Sequence, residues 1–230
     1  MTWTTFPVGS SAKMDLYVER PGAPKAPAVI VLQEIFGVNA HIRDVAKRVA
    51  ALGYVAVAPD LFHRSQARFE GRYEDFASSR ALAQKTTPDE LEADLRATHE
   101  WLQQDAQVDG QRVAAWGFCM GGRVALRAAV LLPLRAAVSF YGGVADTMWS
   151  QLSQISGPVL LAWGGLDSHL GPAVRRKLAD ALAEAKKTYV DVVFSDAEHG
   201  FFCDHRASYN EKAATVAWAT TSAFLAAHLR

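Results

Sequence analysis

The stretch VAAWGFCMGGRVAL, Val113 to Leu126, leaves the backbone few options. Four apolar residues, Val113 to Trp116, read as a strand buried on both faces. Gly117, Gly121 and Gly122 then crowd around Cys119, and a run of helix formers follows. Three glycines within six residues permit a very sharp turn and a close approach of helix to strand. The segment therefore reads as strand, tight turn and helix, with one cysteine at the apex.

The same alternation runs through most of the chain. TWTTFPV and KMDLYVE, separated by GSSA, predict an antiparallel hairpin. APAVIVLQ and YVAVAPD are further strands. Between them HIRDVAKRVAALG places Ile42, Val45, Ala46, Val49 and Leu52 on one helical face, with Gly53 as the C-terminal stop. LFHRSQARFEGR is polar and aperiodic and reads as a loop, followed by a short helix over Tyr73 to Gln84. These form a cap insertion around 61–86. In TTPDELEADLRATHEWLQ, Thr87, Pro88 and Glu90 supply a capping box with proline at the first helical position. RAAVSFYG, PVLLAWGG and TYVDVVFS are strands, and PAVRRKLADALAEA and EKAATVAWATTSAFLAAHL are helices. Alternating strands and helices predict a mostly parallel central sheet with helices on both faces, in a single domain over 1–230. Ligands of such sheets bind beyond the carboxyl ends of the strands.

Composition narrows the partners. Lys plus Arg and Asp plus Glu are 24 each, so no net field favours nucleic acid or an anionic membrane. The most apolar stretch, VALRAAVLLPLRAAVSF, is interrupted by Arg127, Pro133 and Arg135 and is not expected to cross a bilayer. No secretory signal is read at the start. Two cysteines, Cys119 and Cys203, make no disulfide framework and suit a reducing, cytoplasmic setting. Neither belongs to a zinc-spaced ligand cluster, so no metal and no cofactor are implied.

Gly-x-Cys-x-Gly between a strand and a helix has the form of a nucleophile elbow, which more often carries serine. The turn lifts the nucleophile to a helix N-terminus, where free N–H groups and the helix dipole favour a thiolate and a developing oxyanion. The plain alternative is a small buried cysteine in a tight turn. In folds built on this elbow the order is nucleophile, acid, histidine. Asp167 follows the strand in LLAWGGLDSHL, and His199 follows the last strand in DVVFSDAEHGFF. His205 and Asp196 are their nearest competitors. His41, His63, His99 and His228 read as solvated or partly packed, and His169 stands too close to Asp167 to be its partner.

VIVLQEIFG, VAPDLF, GFCMGG, YGG, GGLD and HGFF together resemble the dienelactone hydrolase (carboxymethylenebutenolidase) family of α/β-hydrolases, over nearly the whole chain. The resemblance implies the α/β-hydrolase fold and a Cys-His-Asp triad of Cys119, His199 and Asp167. It also implies a glutamate, Glu34, that keeps the resting thiol unreactive until substrate arrives. The oxyanion hole of this fold maps to the backbone N–H groups of Met120 and Ile35. Family members that open dienelactone hold its carboxylate with arginines and a hydroxyl beside the histidine. Here Gly200 follows His199 and offers no hydroxyl, and Arg206 and Arg80 are the arginine candidates. Phe36, Tyr141, Trp163 and Phe201 follow strands and are candidates for an apolar pocket. Cys203 reads as packing in the histidine loop.

The expectation is a monomeric hydrolase of a small-molecule ester or lactone. A general carboxylesterase or thioesterase on the same triad is the first alternative. A non-catalytic binding or redox-sensing protein, with Cys119 reacting with oxidants, is the second.

Overall fold

The computed structural model describes residues 2–229. They fall into two compact units, 1–113 and 114–230.

In the first unit β1 (Thr2–Val8) and β2 (Ala12–Glu19) form the expected hairpin, in register from Thr2 opposite Val18 to Val8 opposite Ala12. β2 also runs antiparallel to β4 (Val55–Pro59), and β4 runs parallel to β3 (Ala26–Leu32). Every residue of β3 and β4 is buried, which is why their sequences show continuous apolar runs rather than alternation. The helix α1 (Ala40–Ala51) buries Ile42, Val45, Ala46 and Val49 and packs on β3 and β4. Asn39 caps it by accepting the Ile42 N–H, and Gly53 takes the left-handed conformation (φ +98°) just past its end. The helix α4 (Pro88–Gln104) carries the predicted capping box in full.

The segment 61–86 differs in detail from its reading. It opens with a four-residue helix, α2 (His63–Gln66), and its second helix, α3, covers Phe76–Lys85. That start is set by Asp75, which accepts the Ser78 N–H as an N-cap. His63, expected to be solvated or partly packed, is almost wholly buried. Its Nε2 lies 3.0 Å from Asp94, which also accepts from Arg64 at 2.9 Å. Asp94 sits 31 residues beyond His63 along the chain, out of the reach of any local pattern. Asp60 accepts the N–H groups of Phe62 and Arg68, so charged side chains hold the beginning of this segment. Its middle packs on the loop after β3: Asn39 donates to the Tyr73 hydroxyl at 2.9 Å, and the Tyr73 ring meets Phe36 edge-on.

The second unit begins within β5 (Val108–Phe118), which is longer than its apolar stretch because Val108 and the segment Asp109-Gly110-Gln111-Arg112 join the strand. From Ala114 onward β5 runs parallel to β6 (Ala136–Phe140), β6 to β7 (Val159–Gly164), and β7 to β8 (Tyr189–Phe194). The helix α5 (Met120–Leu131) packs on β6, and α7 (Glu211–Leu229) packs on β6 and β7. A 3₁₀ stretch, Asp146–Gln154, and α6 (Pro172–Glu184) complete the unit. Among the described residues no helix is long and apolar enough to cross a membrane.

Candidate active site

The site is built from the ends of four consecutive parallel strands of the second unit. At the end of β5, Cys119 adopts φ +53° and ψ −114°. A side chain at positive φ is costly, by about 1–3 kcal/mol, and such strain persists only where the surroundings impose it. Here they do. The Cys119 N–H is held by the Phe140 carbonyl at 3.0 Å, and its carbonyl accepts the Arg123 N–H from the first turn of α5. Gly117 lies so close to Gly121 that a Cβ would overlap the Gly121 carbonyl. The thiol therefore stands at the N-terminus of α5, partly exposed. Met120 occupies the first helical position, where an N–H has no partner within the helix ladder.

Asp167 follows β7, almost fully buried. One carboxylate oxygen accepts the backbone N–H groups of His169 (2.8 Å) and Leu170 (3.0 Å). The other lies 2.8 Å from His199 Nδ1. An ionised carboxylate only accepts, so Nδ1 carries the hydrogen and Nε2 is left to face the Cys119 thiol, with which the ring is also bonded. Burial alone would push the Asp167 carboxyl up. The bond and charge of His199, with the two backbone N–H groups, outweigh it and carry the group below the ordinary carboxylate value. For His199, burial alone would push the imidazole down. The bonds to Asp167 and Cys119 and their charges take it up to about 10.

The sign of this balance yields an expected result. In Asp167→Asn the charge that strengthens the larger of the two raising bonds is lost, so His199 should release its proton at distinctly lower pH than about 10. NMR titration of the ring Cε1–H reads this directly. An unmoved midpoint would mean that Asp167 does not set the protonation of His199.

Tyr141 follows β6 and is a second strained residue, with φ +39°. It is fully buried, and its ring lies 5.1 Å from that of His199 and 5.4 Å from that of Phe201. Phe201 and Trp163 are core residues: Phe201 packs on Phe140 and Phe194, and Trp163 donates its indole N–H to Asp191. Arg206 lies with its guanidinium against Gly200, in the space a Cβ would take. Of the competitors, His205 is exposed beside Asp204, and Asp196 is exposed. Cys203 is buried, with its N–H on the Gly200 carbonyl. Glu34, Ile35 and Phe36 are all buried on the loop after β3 in the first unit, and Arg80 is exposed on α3. One neighbour of the site escaped the sequence reading: His169, dismissed for its closeness to Asp167, has its ring 5.5 Å from that of His199.

Residues 14–229 match the model of the dienelactone hydrolase family. A Synechocystis sp. protein provisionally named carboxymethylenebutenolidase is 39% identical over 202 residues, 84% of this chain and 82% of its own. One of the same provisional name from Salmonella typhimurium is 36% identical over 89% of this chain and 79% of its own. The crystal structure of a provisionally assigned dienelactone hydrolase from Klebsiella pneumoniae superimposes with a TM-score of 0.88 at 32% identity, covering 98% of both chains. With its mostly parallel sheet, its flanking helices and the cysteine turn after β5, the chain belongs to the dienelactone hydrolase family of the α/β-hydrolase fold.

Proposed function

We propose that the protein hydrolyses ester or lactone bonds through Cys119, with His199 as base and acid and Asp167 as its orienting group. One observation carries the reading: a cysteine in a strained turn at a helix N-terminus is bonded to an imidazole whose other nitrogen is held by a buried carboxylate. His199 Nε2 takes the thiol proton, and the thiolate attacks the substrate carbonyl carbon. The resulting oxyanion is assigned, on the family resemblance alone, to the backbone N–H groups of Met120 and Ile35. Collapse of this intermediate breaks the C–O bond, and His199 returns the proton to the leaving oxygen. A water molecule, deprotonated by His199, then attacks the thioester. The acid is released, and the proton returns to the sulfur.

Glu34 is assigned the restraint of the resting thiol, on the family resemblance and on the complete burial of its side chain. A carboxylate acting in this way opposes thiolate formation by like charge. Glu34→Gln should then speed alkylation of Cys119 by iodoacetamide at neutral pH. Superimposable rate–pH curves for the two proteins would leave Glu34 a structural role.

Gly200, with no hydroxyl, favours a second reading on the same triad: a general carboxylesterase or thioesterase without selectivity for anionic substrates. A panel of lactones, oxygen esters and thioesters, each with and without a carboxylate, decides between the two. A clear preference for carboxylate-bearing lactones supports the first reading, and indifference to charge supports the second. Absence of turnover on the whole panel would overturn both. The protein is further proposed to act as a monomer in the cytoplasm, where a free catalytic thiol stays reduced. Gel filtration tests the first point.

A further inference from the structure

We infer that His169 is a positioning residue for the proposed base, holding the ring of His199 in its working orientation. The inference rests on the hydrolase reading and concerns how its histidine is kept aligned.

His199 is bonded to Asp167 through Nδ1 and also to Cys119. These bonds set where the ring nitrogens point but leave the ring plane free to turn, and the bond to sulfur is given up once the sulfur attacks substrate. Catalysis needs that freedom removed, because Nε2 must stay on the sulfur and later reach the leaving oxygen. Misplacement of a reacting group by about 1 Å can cost on the order of a hundredfold in rate.

Two rings lie against His199. The Tyr141 ring is 5.1 Å away at an interplanar angle of 60°, buried and locked by its own strained backbone. The His169 ring is 5.5 Å away at 88°, an edge-to-face contact. Together they limit the swing of the imidazole. Tyr141 belongs to the core, so its packing alone accounts for its place. His169 is exposed, and burial does not explain an aromatic ring there.

The turn that carries His169 does two things at once. Its backbone N–H, with that of Leu170, binds the Asp167 oxygen that His199 does not use. Its side chain then folds over the ring that Asp167 holds. Four residues, 167–170, thus set both the acid and the orientation of the base. The two contributions separate cleanly by mutation, since the backbone N–H survives any substitution at 169 except proline.

The test compares His169→Ala and His169→Phe with the wild type. Two measurements are made: steady-state turnover of a chromogenic ester, and the rate of Cys119 alkylation by iodoacetamide followed by peptide mass spectrometry. His169 is exposed, so both variants should fold, which circular dichroism checks. The expected result is a fall in kcat of about tenfold for the alanine variant with KM changed less than twofold, because the lost contact aligns the base rather than binding substrate. Alkylation should slow in parallel, as the thiol loses a steadily placed imidazole. The phenylalanine variant, which keeps the ring edge without the ring nitrogens, should recover both rates to within about threefold. Alanine and wild-type proteins agreeing within twofold in both measurements would overturn the inference. So would a phenylalanine variant as impaired as alanine, since the contribution would then be the chemistry of the imidazole rather than its shape. Alkylation needs no turnover, so it tests the positioning role even if the hydrolase reading fails on every substrate.

Discussion

Cys119→Ala should abolish ester and lactone turnover, by at least about ten-thousandfold, while leaving the fold intact. Removing the nucleophile of a triad costs this order because the remaining members act only through it. The fold should survive because nothing in the turn depends on the sulfur: Cys119 is held through its backbone N–H and carbonyl, and its side chain makes no capping bond to α5. Alanine keeps a Cβ at the same positive φ and so inherits the same strain. Steady-state assay of protein freed of contaminating esterases, with the melting temperature measured alongside, checks both halves. Residual turnover above one per cent of wild type would remove Cys119 from the nucleophile role.

Gly117→Ala should do the opposite and damage the fold. A Cβ at 117 would meet the Gly121 carbonyl and the Gly122 nitrogen, all backbone, where no flexible side chain can give way. Overpacking of this kind costs about 3 kcal/mol, or a fall in Tm of roughly 10 °C for a chain of this length. The displacement falls on the turn that presents Cys119, so activity should drop at least about a hundredfold at temperatures where the variant is still folded. Gly22→Ala is the control, since nothing lies within 4 Å of a Cβ there. A Gly117→Ala protein melting with the wild type would mean that the turn is looser than its geometry indicates.

Much of this was legible in the sequence because it is written locally. The buried strands β3, β4 and β7 and the second half of β5 are continuous apolar runs, α4 carries its capping box in four residues, and the cysteine turn declares itself by three glycines. Asp167 and His199 were legible by position, each in the loop after a strand at the end where such sheets carry their ligands. The losses share a different cause. The burial of His63 is decided by Asp94, and the first residues of β5 pass for a loop because Asp109 and Gly110 mimic a turn. The 3₁₀ stretch at 146–154 has no repeat long enough to show a period. His169 was set aside on a sound rule, that a residue two positions from the acid cannot reach round to bond it with its ring. Yet its backbone N–H bonds that acid, and its side chain turns to the neighbouring loop.

The last strand has one consequence for the life of the molecule. β8 is bonded to β7 alone, and Val190 and Val193 along it stand exposed. A strand with one neighbour opens at a lower free energy than those inside the sheet. His199 lies five residues beyond its end. Fraying at this margin would carry His199, the proposed base, off the thiol while β5, β6 and β7 stay paired. Warmth or mild denaturant should therefore silence the protein before it melts it, and cooling should restore it without any refolding of the interior. On the proposed function, catalytic competence should be the more perishable property of the two, and a storage or engineering effort that watches only the melting curve would be watching the wrong end of the sheet.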